Sequence, residues 1–564
     1  MGIIQFKAAN CKNCYKCIRH CGVKSITFHS DQARILEDEC VLCGKCTLVC
    51  PQNAKQIESD LPKVKDMLAR GEKVFVSLAP SYVAAFPNVS FSAMSAALKK
   101  LGFSHVEETA IGATHVSKSY SQIAKAGLMP NLITTCCPTV VMLVEKYFPP
   151  LLPQLIPVNS PAVTHAKLMR SVRKEDIRVV FIGPCISKKQ EARASGEIDA
   201  VLMYEELREW LTKEEISLQL HDDRPSEMHQ VLSRLYPVPG GILKTIPLEY
   251  RDKYKAVAVD GLDRCIEILQ SIQKHRITGY LLEMSACENS CVGGPGLHET
   301  GEPFLLAKSD IYQVSKEAPL TPAPLSETSR VNMDASFSPT LVRAGMPTDE
   351  DIEAILAQIG KTRPEHMLNC GACGYESCRE KAIAVYHGKA NLKMCLPYMR
   401  EKAESMSNII LDNTPNALFM LDEDLTLVQY NKAGERMLNL DNTCLGLPLD
   451  MFLNMSALVH GTKTGQAVMN VRCKTRIFDL TVEQSLVPVP NGGYLVVARD
   501  VTKEEENLDR IEAMRRETLQ TAQQVIDKQM RVAQEIASLL GETTGETKAA
   551  LLKLKSSITK DGKS

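Results

Sequence analysis

The sequence predicts a multidomain chain of α+β and α/β character, and three observations carry that reading. The first sixty residues hold the spacing C-x2-C-x2-C-x3-C twice. From Lys73 onward, short apolar runs alternate with helical stretches, which argues for strands layered with helices. Beyond a stretch rich in Pro, Ser and Thr come a second cysteine group, a further mixed segment and a long stretch of helix-forming composition. The 564 residues leave room for about four domains at a soft ~150 residues each. Hydrophobic residues make up 44% of the chain and charged residues 24%, enough for a large folded core. A net charge of −1 gives no electrostatic basis for binding nucleic acid or an anionic membrane. No apolar run approaches the ~18 residues of a membrane span. Residues Met1 to Lys7 lack the apolar core of a leader peptide, so a cytoplasmic protein is expected. Twenty cysteines in that setting read as metal ligands rather than disulfides. Cys265, Cys444 and Cys473 fall outside every motif and are expected to be ordinary buried thiols.

In residues 1–60, Cys11, Cys14 and Cys17 are followed by Cys21, and Cys40, Cys43 and Cys46 by Cys50-Pro51. This doubled spacing resembles a ferredoxin-like head with two 4Fe–4S clusters. In such folds the fourth cysteine of each run ligates the other cluster. One expected set is therefore Cys11, Cys14, Cys17 and Cys50, and the other is Cys40, Cys43, Cys46 and Cys21. Zinc is the rival metal for C-x-x-C pairs, but it rarely repeats this spacing. The expected role is electron relay.

The segment 73–305 opens with Val74 to Ser81, a buried strand running into a loop, followed by a helix from Ser92 to Leu101 that ends at Gly102. Arg178 to Ile182 is a second buried strand, delivering Gly183-Pro184-Cys185. Two further cysteine loops are Thr134-Thr135-Cys136-Cys137-Pro138 and Ala286-Cys287-Glu288-Asn289-Ser290-Cys291. Cys137, Cys185, Cys287 and Cys291 supply the four soft thiolates a cubane requires. Pro138 and Pro184 stiffen the turns beside them, and Gly293, Gly294 and Gly296 are expected to let backbone approach a bulky cofactor.

From about Val74 to Pro303, these loops in this order resemble the catalytic domain of iron-only (FeFe) hydrogenases. The resemblance implies an H-cluster, a 4Fe–4S cubane joined through one thiolate to a two-iron unit with CO and cyanide ligands. It implies proton and dihydrogen interconversion. Cys137, Cys185 and Cys287 match cubane ligands, and Cys291 matches the bridging thiolate. Cys136 matches the proton-relaying cysteine, a role open to a thiol because it ordinarily titrates nearer neutrality than a hydroxyl. Lys188 matches the lysine beside a cyanide, where an ammonium is favourable. Glu191 matches the motif's final glutamate, and Ala79 and Pro80 match backbone close to the two-iron unit.

Departures from the family pattern point to an altered site. Val140 stands where the family has tryptophan, and Gly183 and Ser285 stand where it has methionine. Glu288-Asn289-Ser290 replaces Pro-Gly-Gly. The stretch Gly112 to Tyr120 lacks the family's proton-carrying carboxylates, leaving hydroxyls, a lysine and His115. Low turnover is the expectation, with His115 either a substitute carrier or an ordinary hydrogen-bonded histidine.

Residues 317–348 read as a linker. Within 349–400, Cys370, Cys373 and Cys378, with Cys395 downstream, resemble a small single-cluster 4Fe–4S domain; zinc is the alternative. Residues 405–502 resemble a PAS domain through Ile409 to Asp422, Asn431-Lys432-Ala433 and Gly493 to Thr502. The tail, 503–564, is helical, with apolar residues at Leu508, Ile511, Ala522, Val525, Val532, Ile536 and Leu539 on a broken 3–4 spacing. That spacing suits a coiled-coil seam or an amphipathic helix packed on the PAS fold. No histidine follows His460, so the tail offers no phosphoacceptor histidine. The expected protein is a sensory-type FeFe hydrogenase. Its partners would be dihydrogen, protons and a separate kinase, phosphatase or regulator, with a ferredoxin-type electron partner and homodimerisation left open. A metabolic ferredoxin-coupled hydrogenase and a non-catalytic iron–sulfur relay lacking the two-iron unit are the alternatives.

Overall fold

The structure is a computed structural model that describes residues 2–29, 32–172, 176–218, 231–300, 303–316, 331–340, 342, 345–475, 477–490, 492–540 and 545–560. Of the expected linker, residues 317–330, 341, 343 and 344 lie outside the described residues. The chain divides into two compact units, Met1–Tyr398 and Met399–Ser564.

Two parallel sheets organise the centre of the first unit. One has four strands in the order His105–Glu108, Val74–Leu78, Arg178–Ile182 and Ala200–Leu202. The other has three, Lys255–Asp260, Tyr280–Ser285 and Leu132–Ile133. Val74–Leu78 is buried at all five positions because parallel strands are covered on both faces, which explains its unbroken apolar text. The connecting segments place chemistry at the carboxyl ends of the strands, where open α/β sheets bind their ligands. Leu132–Ile133 leads to Cys136 and Cys137, Arg178–Ile182 to Cys185, and Tyr280–Ser285 to Cys287. Pro138 occupies the first turn of the helix Pro138–Tyr147, so Cys137 sits at that helix's amino end.

The head is built from two antiparallel pairs, Ile4–Phe6 with Lys55–Ile57 and Ile26–His29 with Gln32–Ile35. It is fastened to the central region: Ile3 and Ile4 pack with Ile186 and Met203. Gly44, at φ +77°, approaches so closely that a Cβ there would lie 2.7 Å from Ile186 and 2.8 Å from Pro295. The segment 367–397 is seated on the head as well. Phe28 N–H donates to Lys389 O at 2.8 Å, Lys24 Nζ donates to Gly374 O at 3.0 Å, and Lys389 pairs with Glu39 at 2.5 Å. Residues 331–340 run along the central region, with Asn159 N–H donating to Met333 O, Ala335 N–H to Pro157 O, and Thr340 N–H to Glu145 O.

The second unit holds a five-stranded antiparallel sheet in the order Leu427–Tyr430, Ala417–Leu421, Tyr494–Asp500, Thr481–Pro488 and Val468–Lys474. Asn431 caps the helix Lys432–Leu438 by accepting from Gly434 N–H and ties down the chain by donating to Leu411 and Asn416 carbonyls. The helix Thr502–Leu540 follows, 39 residues long, or about 58 Å at 1.5 Å per residue. Leu508, Ile511, Met514, Val525, Val532 and Ile536 on it are exposed. A second helix covers Gly545–Lys560.

Candidate active site

Cys136, Cys137, Cys185, Cys287 and Cys291 all line one cavity of about 110 Å³ at the carboxyl ends of the two sheets, with Lys188, Ala79 and Pro80 in its wall. Burial is the main cause of the raised pKa of the Cys287 thiol, and Cys185, Cys137 and Cys291 push it further up, so the four thiols feel one another. Four mutually repelling soft donors around one space suit a cluster that spreads charge over several irons. Among the described residues, no three His, Cys, Asp or Glu side chains close around a single metal ion.

Lys188 and Glu191 lie one turn apart on the helix Ser187–Ser195. Lys188 Nζ donates to Glu191 Oε2 at 2.6 Å, to Ser160 Oγ at 2.8 Å and to the Cys136 carbonyl at 3.4 Å. Burial works against its charge, but Glu191 and Cys185 outweigh it and hold the ammonium above its ordinary value. The Ala79 carbonyl accepts from Tyr204 Oη at 3.0 Å, fixing the backbone that carries Pro80.

Cys136 differs from its sequence-based description. Burial pushes its thiol up to about 12, against the pull of Tyr120 and Lys188 and with the repulsion of Glu283 and Glu191. It therefore keeps its proton at neutral pH. A Cβ on Gly293 would lie 1.8 Å from the Glu288 carbonyl, and those on Gly294 and Gly296 about 3 Å from Pro184. These glycines let the third cysteine loop fold onto itself and onto the second. Asn289 and Ser290, at φ +65° and +58°, hold left-handed backbone where the family has glycines.

Sequence reasoning missed Glu283. It lies in the middle of the buried strand Tyr280–Ser285 and lines the same cavity. Burial pushes its carboxyl up to about 7, although the N–H groups of Leu243 and Gly240 bond it at 3.0 and 2.8 Å. A carboxyl titrating near neutrality beside Cys136 is suited to exchange protons. The one signal in the sequence was a single charged residue inside an otherwise uncharged strand, four places before Cys287. His115 lies half-buried on the helix Ala110–Ala126, its pKa lowered by burial and then by Lys118 and His165.

The other cysteine groups also gather. Burial raises the Cys17 thiol, and Cys50, Cys11 and Cys14 add to the rise. Cys46 is raised by burial and then by Cys43, Cys40 and Cys21. Each run thus meets the last cysteine of the other. Cys43 also reaches the wall of the cavity lined by Cys136 and Cys137 and adds to the field on Cys287. Cys370, Cys373, Cys378 and Cys395 surround a cavity of about 20 Å³ with buried Lys361 and Lys381. Two buried ammonium groups suit the net negative charge of a thiolate-bound cluster. Tyr375, packed among Cys21, Cys17 and Cys373, carries a buried hydroxyl with no partner among the described residues, a donor suited to cluster sulfur. Cys265 is fully buried and bonds the Ser285 carbonyl; Cys444 and Cys473 are half-buried against the core of the second unit.

These thiols give the unloaded protein a defined pH response. Cys43 and Cys136 are both pushed up to about 12 from an ordinary 9.0, so the folded chain holds protons that the unfolded chain releases. Their stabilising contribution is full below pH 9.0 and is lost as pH climbs towards 12. Urea midpoints of the cluster-free protein are expected to fall over that window; midpoints that hold steady there would contradict the assignment.

Residues 72–295 match the family described as "Iron only hydrogenase large subunit, C-terminal domain". The chain is iron-only-hydrogenase-like. Residues 33–56 of this hydrogenase-like chain match a 4Fe-4S binding domain, and residues 367–397 match an Fe–S cluster family. The chain is 24% identical over 375 residues to the NADP-reducing hydrogenase subunit HndD of Solidesulfovibrio fructosivorans, covering 53% of this chain and 64% of the relative. It is 24% identical over 381 residues to iron hydrogenase 1 of Clostridium pasteurianum, covering 54% and 66%. The chain thus spans just under two thirds of the length of these relatives. It is also 25% identical over 233 residues to the cytosolic Fe-S cluster assembly factor NAR1 of Yarrowia lipolytica, covering 35% and 47%. No helix among the described residues is long and apolar enough to cross a membrane.

Proposed function

We propose that the protein is a sensory-type FeFe hydrogenase of low turnover, interconverting protons and dihydrogen. The observation that carries this reading is the convergence of Cys136, Cys137, Cys185, Cys287, Cys291 and Lys188 on one cavity. In this reading Cys137, Cys185, Cys287 and Cys291 would hold a cubane, with Cys291 also the residue that would join it to a two-iron unit, and that unit when bound would supply the site of dihydrogen chemistry. Cys136 presents a retained thiol proton to the cavity, and Tyr120 Oη, 3.4 Å from its sulfur, orients it. Glu283, with its carboxyl near 7, exchanges protons with that thiol's surroundings. Lys188 places a positive charge in the wall, steadied by Glu191 and Ser160.

The two cysteine sets of the head and the set at Cys370, Cys373, Cys378 and Cys395 hold three further cubanes that relay electrons. Residues 405–502 serve as a PAS module. Its sheet order is what supports that part of the reading. The exposed apolar residues of Thr502–Leu540 support a partner protein such as a kinase, phosphatase or regulator.

Infrared spectroscopy of the matured protein tests the proposal, with CO and cyanide stretches as the expected result. Iron analysis is expected to give about sixteen irons in cubanes, four for each set of four thiolates. The match to NAR1 favours a second reading, a non-catalytic iron–sulfur role. Cubane iron without CO or cyanide bands would select it.

A further inference from the structure

Thr109 lines the cavity that holds Cys136 and Cys137 and immediately precedes the helix Ala110–Ala126. A threonine there normally turns its hydroxyl back onto the helix. This one makes no side-chain cap bond. Its Oγ1 lies 2.7 Å from Ser77 Oγ, which lies 2.8 Å from His165 Nδ1. His165 Nε2 donates to Glu107 Oε2 at 3.0 Å, and Glu107 Oε1 accepts from His105 Nε2 at 2.8 Å. Burial falls away along this series. His165 has no exposed side-chain surface, Glu107 is 12% exposed and His105 is 27% exposed. Four hydrogen bonds thus connect the cavity wall to the surface without a gap. Gly112 makes the arrangement sterically feasible, since a Cβ there would stand 2.8 Å from His165 Cβ and 2.3 Å from the Pro161 carbonyl.

We propose that Thr109, Ser77, His165, Glu107 and His105 form a proton wire between the cavity and solvent. The proposal rests on the hydrogenase reading above. The donors align in one direction. Because the Glu107 carboxylate can only accept, His165 carries its proton on Nε2, and its Nδ1 accepts from Ser77 O–H, whose oxygen accepts from Thr109 O–H. A proton arriving at Thr109 displaces that hydroxyl's own proton to Ser77. Ser77 passes its proton to Nδ1, and the imidazolium releases Nε2–H to Glu107. Glu107 then gives one proton to water beside His105. One proton enters and one leaves; the passage leaves the imidazole protonated on Nδ1 instead of Nε2, so the start is restored by rotation of the two hydroxyls together with return of the ring to its Nε2–H tautomer. The same links run inward when protons are consumed. Burial raises the Glu107 carboxyl, but the bonds from His165 and His105 outweigh it and leave it below its ordinary value, so it is ionised at neutral pH and accepts hydrogen bonds from both rings. The charged and titratable groups facing His165 are Glu107 and His105 on the strand His105–Glu108 and His115 on the helix Ala110–Ala126, with Lys118 beside His115. The two hydroxyl links are slower relays than carboxylates, which accords with low turnover.

Two measurements decide the proposal. In the unloaded full-length protein, nitrogen-15 NMR of the imidazoles is expected to show His165 protonated at Nε2, with an Nδ1 resonance that moves in Ser77→Ala. A neutral ring protonated at Nδ1 would break the directed series and overturn the wire. In the matured protein, His165→Gln is expected to retain CO and cyanide bands while dihydrogen turnover falls ~10²–10⁴-fold, the loss typical of a removed acid–base group, and its pH profile flattens. Thr109→Val should lower the rate with the ring untouched, and Thr109→Ser should restore it. Intact bands with wild-type rates and pH profiles in both His165→Gln and Thr109→Val would refute the wire and leave the hydrogenase reading standing. Absence of the bands in the wild-type protein would remove both.

Discussion

Cys291→Ser is expected to eliminate the CO and cyanide bands of the matured protein while the clusters of the head persist. Cys291 is the proposed bridge, it lines the cavity, and its thiol is raised by burial and by Cys185 and Cys137, its neighbours in the set. The head sets draw on different cysteines, Cys11, Cys14, Cys17 and Cys50 in one and Cys21, Cys40, Cys43 and Cys46 in the other. Electron paramagnetic resonance of the reduced variant should therefore still show head cubanes. Simultaneous loss of every cluster signal would mean that the sites do not assemble independently. Cys136→Ala makes the complementary case. It removes a proton donor without removing a proposed ligand, so the bands should remain while turnover falls ~10²–10⁴-fold.

The second large effect concerns stability. Glu108 and Arg234 form a buried bidentate pair: Arg234 Nε and Nη2 donate to Glu108 Oε2 and Oε1 at 2.8 and 2.5 Å, and Nη1 donates to the Val314 carbonyl at 3.0 Å. The side chains are 6% and 2% exposed. Arg234→Ala strands a carboxylate in the core, which typically costs about 3–5 kcal/mol. Replacing both partners by apolar residues of similar volume should recover most of that loss. The chain's one tryptophan, Trp210, lies in the same core as Leu235, so its fluorescence during urea unfolding of the cluster-free protein reports the change. A loss below about 1 kcal/mol in Arg234→Ala would show that water reaches Glu108.

Much of the site was legible because ligand cysteines are chemically distinctive and locally spaced. The parallel strands were legible for a different reason. Val74–Leu78 and Arg178–Ile182 are buried on both faces, so they read as short apolar runs that end where the motifs begin. Glu283 was not legible, because a lone acid in such a strand gains its meaning from Gly240 and Leu243, forty residues away. Ser77, Glu107 and His165 come from two strands and a helix, and no periodicity in the chain links them. The behaviour of Cys136 was hidden for the same reason: its proton affinity is set by burial and by Tyr120, Lys188, Glu283 and Glu191. The three glycines after Cys291 illustrate a limit of composition. Their small size is plain in the sequence, but what occupies the freed space is backbone of Glu288, Cys291 and Pro184.

The seating of Gly44 against Ile186 and Pro295 bears on how the chain can be cut. Leu42 and Cys43 belong to the head, yet they stand in the cavity wall beside Cys137 and Cys185. Excising residues 1–60 would breach that wall and uncover Ile186 and Met203. The central region is therefore not a portable cassette. A truncated version needs a substitute surface there, and a chimera carrying a foreign head must reproduce the glycine at position 44 before its cavity can close.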